Sequence, residues 1–107
     1  MTPRALHDAI GAGAAPAILD VRTRAEYAAG HVPGAVSIPL ATVPDHLDDF
    51  RGDGPTYVIC KSGGRSRRAC DFVDAQGLDG VEVVNVEGGT GGWIASGRDV
   101  VRGDRPT

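Results

Sequence analysis

A chain of 107 residues, 41% of them apolar, has the size of one domain and enough hydrophobic material for its own core, so disulfides are not needed to hold it together. A formal net charge of −3 and a sequence pI near 5.4 argue against nucleic acid as the main partner, and the two cysteines form neither a C-x-x-C pair nor a zinc-ligand spacing with histidine. The N-terminus does not read as a signal peptide and no apolar run approaches bilayer length, which predicts a soluble, cytoplasmic protein with no membrane partner.

In chain order, Thr2 is a candidate N-cap with proline at the first helical position. The helix it opens carries Leu6, Ala9 and Ile10 on one face and is expected to end near Gly11 or Gly13. Residues 17–21 are a short apolar run of the kind that forms a buried parallel strand. Thr23 and Glu26 make a capping box for a brief helix through Ala28 that Gly30 stops. Residues 36–38 read as a second strand closed by Pro39, followed by a weakly helical stretch from Val43 to Phe50 and a turn at 52–55.

A third strand, 56–59, delivers Cys60 into a short loop. The loop opens a helix from about Arg65 to Gln76 that is expected to bury Ala69, Cys70, Phe72 and Val73 and to be capped by Gly77. Residues 82–86 predict a fourth strand, and the glycine-rich bend at 88–92 leads into a short helix through Trp93 that ends at Gly97. From Val100 onward the chain is expected to be a loose polar tail. Strands alternating with helices imply an α/β fold with a mainly parallel sheet, in which ligands bind beyond the carboxyl ends of the strands, where Cys60 falls.

The loop Cys60-Lys61-Ser62-Gly63-Gly64-Arg65-Ser66 carries the chemistry. Small residues between a strand and a helix let several backbone amides converge on one anion, and the helix adds the positive end of its dipole. A thiol held there is expected to be a thiolate, the reactive form of cysteine. An ordinary cysteine titrates near ~8.5, so making half of it thiolate at pH 7 takes ~1.5 units, or about 2 kcal/mol. A helix N-terminus typically supplies only ~0.3–1 kcal/mol. The loop amides and the charges of Lys61 and Arg65 must therefore supply the rest. Arg65, Arg67 and Arg68 make the one basic cluster of an acidic chain, which points to a small anionic substrate.

Four blocks in order resemble the single-domain rhodanese family over nearly the whole chain, 1–107. They are Leu19-Asp20-Val21-Arg22 with Glu26-Tyr27; Gly30-His31-Val32-Pro33-Gly34-Ala35 with Ile38-Pro39; residues 60–66; and Val86-Glu87-Gly88-Gly89 through Trp93 and Gly97. The resemblance implies a single domain of three layers, with helices on both faces of a mainly parallel sheet of four or five short strands. It also implies a thiosulfate:cyanide-type sulfurtransferase without cofactors. Cys60 would take sulfur from a small anionic donor, hold it as a persulfide and pass it to cyanide or a cellular thiol, or to a partner protein in a sulfur relay.

On that reading the amides of residues 61–66 form the anion cradle, Gly63 and Gly64 let the backbone turn inward, and Lys61 stands at the mouth. Arg65 closes the loop, either facing substrate or tied to a carboxylate, for which Asp20 is the candidate; Arg22 is expected to support the site by a local pair with Glu26. His31 is expected to hydrogen-bond within its loop, Trp93 to plug the edge of the core, and Cys70 to be an inert thiol. The alternatives are a non-catalytic regulatory module and a phosphatase or arsenate reductase. Against the second stands the loop length: related phosphatases use a loop one residue longer, and the six residues from Cys60 to Arg65 suit the smaller sulfane sulfur. The family's opening strand is expected to be missing or reduced to a residue or two. The excess of arginine over lysine reads as the codon bias of a GC-rich, bacterial genome.

Overall fold

The computed structural model describes residues 1–13 and 16–107. Thr2 accepts the Ala5 amide on its hydroxyl at 3.1 Å and Pro3 sits in the first turn, so α1 runs Pro3–Gly11 as its capping residues dictate. The strands β1 (Ala17–Asp20) and β3 (Thr56–Ile59) form the centre of the sheet, in parallel register from Ala17 opposite Thr56 to Asp20 opposite Ile59. β2 (Val36–Ser37) lies outside β1 and β4 (Val83–Asn85) outside β3, giving the order β2-β1-β3-β4 with every pairing parallel.

Parallel neighbours need crossovers, and these are helical. α2 (Arg24–Ala29) starts on the Thr23–Glu26 capping box, α3 (Gly64–Ala75) follows β3, and α4 (Gly89–Ala95) follows β4. The connection from β2 to β3 is a 3-10 segment, Leu40–Phe50, with Pro44 inside it and a break at His46 (φ −125°, ψ 28°). This explains its weak helical signature. No helix among the described residues is long and apolar enough to cross a membrane.

Strand alternation sorts the core onto two faces. Ile18 and Ile59 lie on one side with Leu6, Tyr27 and Trp93 of the helices over them. Leu19 and Val58 lie on the other, under Val43 and Phe50 of the 3-10 segment and Ala69, Cys70 and Val73 of α3. Burying one such side chain contributes about 1.5–3 kcal/mol against ~1 for a helix cap, so the alternation sets the three layers more strongly than the caps do.

Two expectations are corrected. Phe72 is not buried but 38% exposed, because the inward stripe of α3 is already filled by Ser66, Ala69, Cys70 and Val73, and Phe72 falls one position off it. The C-terminal residues are not loose. Val101 and His31 exchange backbone hydrogen bonds of 2.9 and 2.8 Å, Gly103 donates to Ala28 and Pro106 accepts from Gly34. The turn after α2 has backbone groups in need of partners, and the tail supplies them. At the β4 edge the Met1 amine donates to Asn85 O and Met1 O accepts from Glu87 N, both at 2.7 Å.

Candidate active site

The site forms where β3 ends. Cys60 is 1% exposed, and the chain then turns through Gly63, whose φ of +109° belongs to the left-handed region that glycine occupies without steric cost. The outer wall of the loop is held from α4. Cys60 O accepts from Thr90 N and Lys61 O from Gly91 N, each at 2.8 Å. The two backbones approach so closely that a Cβ at Gly89 would lie 2.4 Å from Cys60 O and 2.7 Å from Lys61 O. In a trans peptide the carbonyl and the amide point opposite ways. Tying these carbonyls to α4 therefore turns the Lys61 and Ser62 amides toward the inside of the loop.

The sulfur collects the donors. Gly63 N donates to Cys60 Sγ at 3.1 Å, and Ser66 Oγ lies 3.3 Å from it. Burial is the largest single influence on this thiol and pushes it up. The Ser66 hydroxyl and the amides of Ser66, Gly63 and Ser62 together outweigh it, so the thiol sits below its ordinary value. The leading stabilisers are hydrogen bonds, and Arg65 is near enough for its charge to couple to the sulfur.

Contrary to expectation, Arg65 does not pair with Asp20. It grips Glu26 in a two-pronged ion pair of 2.7 and 2.8 Å, which holds Glu26 down at about pKa 2 and raises Arg65 further. Nor does Arg22 pair with Glu26. Asp20, fully buried, receives the Arg22 guanidinium at 3.0 and 2.8 Å, and the same guanidinium donates to Gly30 O at 2.8 Å. Residues two apart at the end of a strand share a face, so Arg22 can reach back to Asp20. The outcome is two braces in series: Asp20–Arg22 ties β1 to the far end of α2, and Glu26 of α2 ties the Cys60 loop through Arg65.

Lys61, Ser62 and Gly64 are exposed at the mouth, and among the described residues Lys61 has no ion-pair partner. His31 sits against Tyr27 O at 2.8 Å and Arg105 O at 2.7 Å and stacks on Tyr27, a loop-and-tail role. Trp93 is 3% exposed and donates to Asp99 O at 2.7 Å. Cys70 is buried and pushed up to about 11 by that burial.

Asn85 was not singled out in the sequence. Its Nδ2 donates to Gly63 O at 3.2 Å and its Oδ1 accepts from Ser66 Oγ at 2.5 Å, so it touches both residues that donate to the sulfur. The available signal was a polar residue closing the apolar run Val83-Val84 beside the strand that bears Cys60. Glu26 was expected to cap α2 and to pair with Arg22, and no local signal pointed to Arg65.

A profile of the rhodanese-like domain family matches residues 2–96. A sulfurtransferase of Allochromatium vinosum is 33% identical over 84 residues, spanning 78% of this chain and 77% of the relative. A thiosulfate sulfurtransferase of Pseudomonas entomophila is 33% identical over 76 residues, 71% of this chain and 68% of that protein. The crystal structure of a rhodanese-related protein from Thermoplasma volcanium superposes with a TM-score of 0.82 at 31% identity, covering 94% of this chain and 95% of that one.

Proposed function

The chain belongs to the rhodanese-like domain family, and from that premise we propose that it is a sulfurtransferase in which Cys60 carries sulfane sulfur as a persulfide. The observation that carries the reading is the sulfur of Cys60 receiving Gly63 N at 3.1 Å, with Ser66 Oγ at 3.3 Å, inside a loop of inward amides. Such a cradle stabilises negative charge on sulfur both before and after transfer. The relatives named as sulfurtransferases, one of them for thiosulfate, support the same chemistry.

With thiosulfate as donor, the Cys60 thiolate attacks the outer sulfur. The bond from that sulfur to the central one breaks, sulfite leaves with the electron pair, and Cys60 is left as an anionic persulfide. Cyanide or a thiolate acceptor then attacks the outer sulfur, and the electrons of the sulfur–sulfur bond return to Cys60. No proton is required in either step with cyanide, so the site needs an anion cradle and no general base. Lys61, exposed and unpaired among the described residues, attracts the anionic donor. Arg65, occupied by Glu26, fixes the loop's exit into α3.

The test is intact mass after incubation with thiosulfate. Wild type should gain one sulfur atom that cyanide removes, and Cys60→Ser should gain none. An unchanged wild-type mass together with release of phosphate from p-nitrophenyl phosphate would overturn the reading.

A further inference from the structure

Ser66 is the third residue of α3 and is fully buried. From one position its Oγ faces two acceptors, Asn85 Oδ1 at 2.5 Å and Cys60 Sγ at 3.3 Å. A hydroxyl has a single proton to give. The orientation of the Asn85 amide is settled by its other contact. Nδ2 faces Gly63 O at 3.2 Å, and the flipped amide would set two acceptors against each other there. Oδ1 therefore faces Ser66 and competes for its proton.

We infer that Asn85 is a positioning residue that allocates the Ser66 proton between its own amide oxygen and the Cys60 sulfur, and so governs how readily the thiolate forms. While Cys60 carries its own proton, the neutral sulfur is a weak acceptor and Ser66 donates to Asn85. When Cys60 ionises, releasing its proton to solvent, a charge-assisted hydrogen bond to Sγ is roughly twice as strong as a neutral one. The Ser66 hydrogen then swings to the sulfur by rotation about Cβ–Oγ, with no heavy atom displaced. The thiolate forms at the expense of the Asn85 bond, so Asn85 restrains ionisation while its second contact pins the Gly63 turn. The charged groups near the loop, Lys61 within it, Arg65 with Glu26 from α2, and Asp20 at the end of β1, stay the same when Asn85 is replaced by a neutral residue.

The inference rests on Cys60 being the working nucleophile, as proposed above, but its test does not use turnover. The rate of Cys60 alkylation by iodoacetamide is followed against pH, with the site assigned by peptide mass and folding checked by circular dichroism. Asn85→Ala frees Ser66 and should move the midpoint down by about half a unit, roughly threefold more thiolate at a fixed pH below it. Asn85→Asp, of nearly the same shape, takes the Ser66 proton more strongly and also sets a negative charge near the sulfur, so it should move the midpoint up, and by less once the Ser66 hydroxyl is gone. Both variants lose the tether to Gly63, and the added carboxylate would raise the midpoint by its charge in any case, so the Ser66→Ala background is what separates the Ser66 route from tether and charge. In a Ser66→Ala background, Asn85→Ala should cause no further shift. An upward Asn85→Ala shift, an Asn85→Ala shift that survives without the Ser66 hydroxyl, or an Asn85→Asp shift undiminished in the Ser66→Ala background would overturn the inference and leave the proposed function standing. A Cys60 inert toward iodoacetamide at every pH would instead sink the proposed function.

Discussion

Cys60 and Cys70 share one apolar cluster and are both buried, yet their thiols are pushed in opposite directions. Burial raises both. At Cys70 the next influences, from Asp74 and Asp71, act the same way, and the thiol rises to about 11. At Cys60 the Ser66 hydroxyl and three loop amides act against burial and win. An apolar pocket makes an inert cysteine. A cradle of oriented donors lowers the thiol instead, and the difference is a turn of backbone at the end of a strand.

The largest expected contrast is in labelling. With its thiol near 11, about 10⁻⁴ of Cys70 is thiolate at pH 7. Iodoacetamide should therefore modify Cys60 at least about a hundredfold faster than Cys70 in the native protein, read by peptide mass. Comparable rates would break the comparison outright.

Next comes the wall that turns the amides inward. Gly89→Ala sets a methyl group 2.4 Å from Cys60 O, so the loop must move away from α4. A misplacement on the order of 1 Å at a reacting centre costs roughly 10²-fold in rate, and sulfur transfer should fall by about that factor with the secondary structure intact. A variant as active as wild type would mean that the carbonyls need no such anchor.

The smallest effect is expected at the outer brace. Glu26 is held at about 2 in the folded protein against 4.5 when free, so the stability it contributes is present above about pH 4.5 and is lost as pH falls toward 2. The pair is a third exposed, which limits its worth to about 1 kcal/mol or less. The thermal midpoint of Glu26→Gln should lie slightly below that of wild type near pH 7, and the gap should close between 4.5 and 2. A gap independent of pH would show that the carboxylate charge is not what braces Arg65.

Much of this molecule was legible before any coordinates. The helix caps at Thr2 and Thr23 and the strand that delivers Cys60 are local signals, and each forms within a residue or two of its expected place, whereas the expected bend at 88–92 is confined to its start, since α4 begins at Gly89. What misled was pairwise. Asp20, Arg22, Glu26 and Arg65 offered two carboxylates and two guanidiniums with several workable pairings, and a charge carries no address in a single sequence. Phe72 failed for a related reason: the helical stripe around it was already complete, which periodicity alone does not reveal. The tail looked loose because its composition is polar, although its backbone completes the turn at His31.

The sequence by itself determined the α/β alternation, the loop with its lone thiol and the resemblance that points to sulfur chemistry, because these depend on residues close together in the chain. Only the tertiary structure decided which donors reach the sulfur and which charges meet. Asn85 lies 25 residues from Cys60, and Glu26 lies 39 from Arg65. They are brought to the loop by parallel strand register and helix packing, whose geometry exists only once the two core faces have closed.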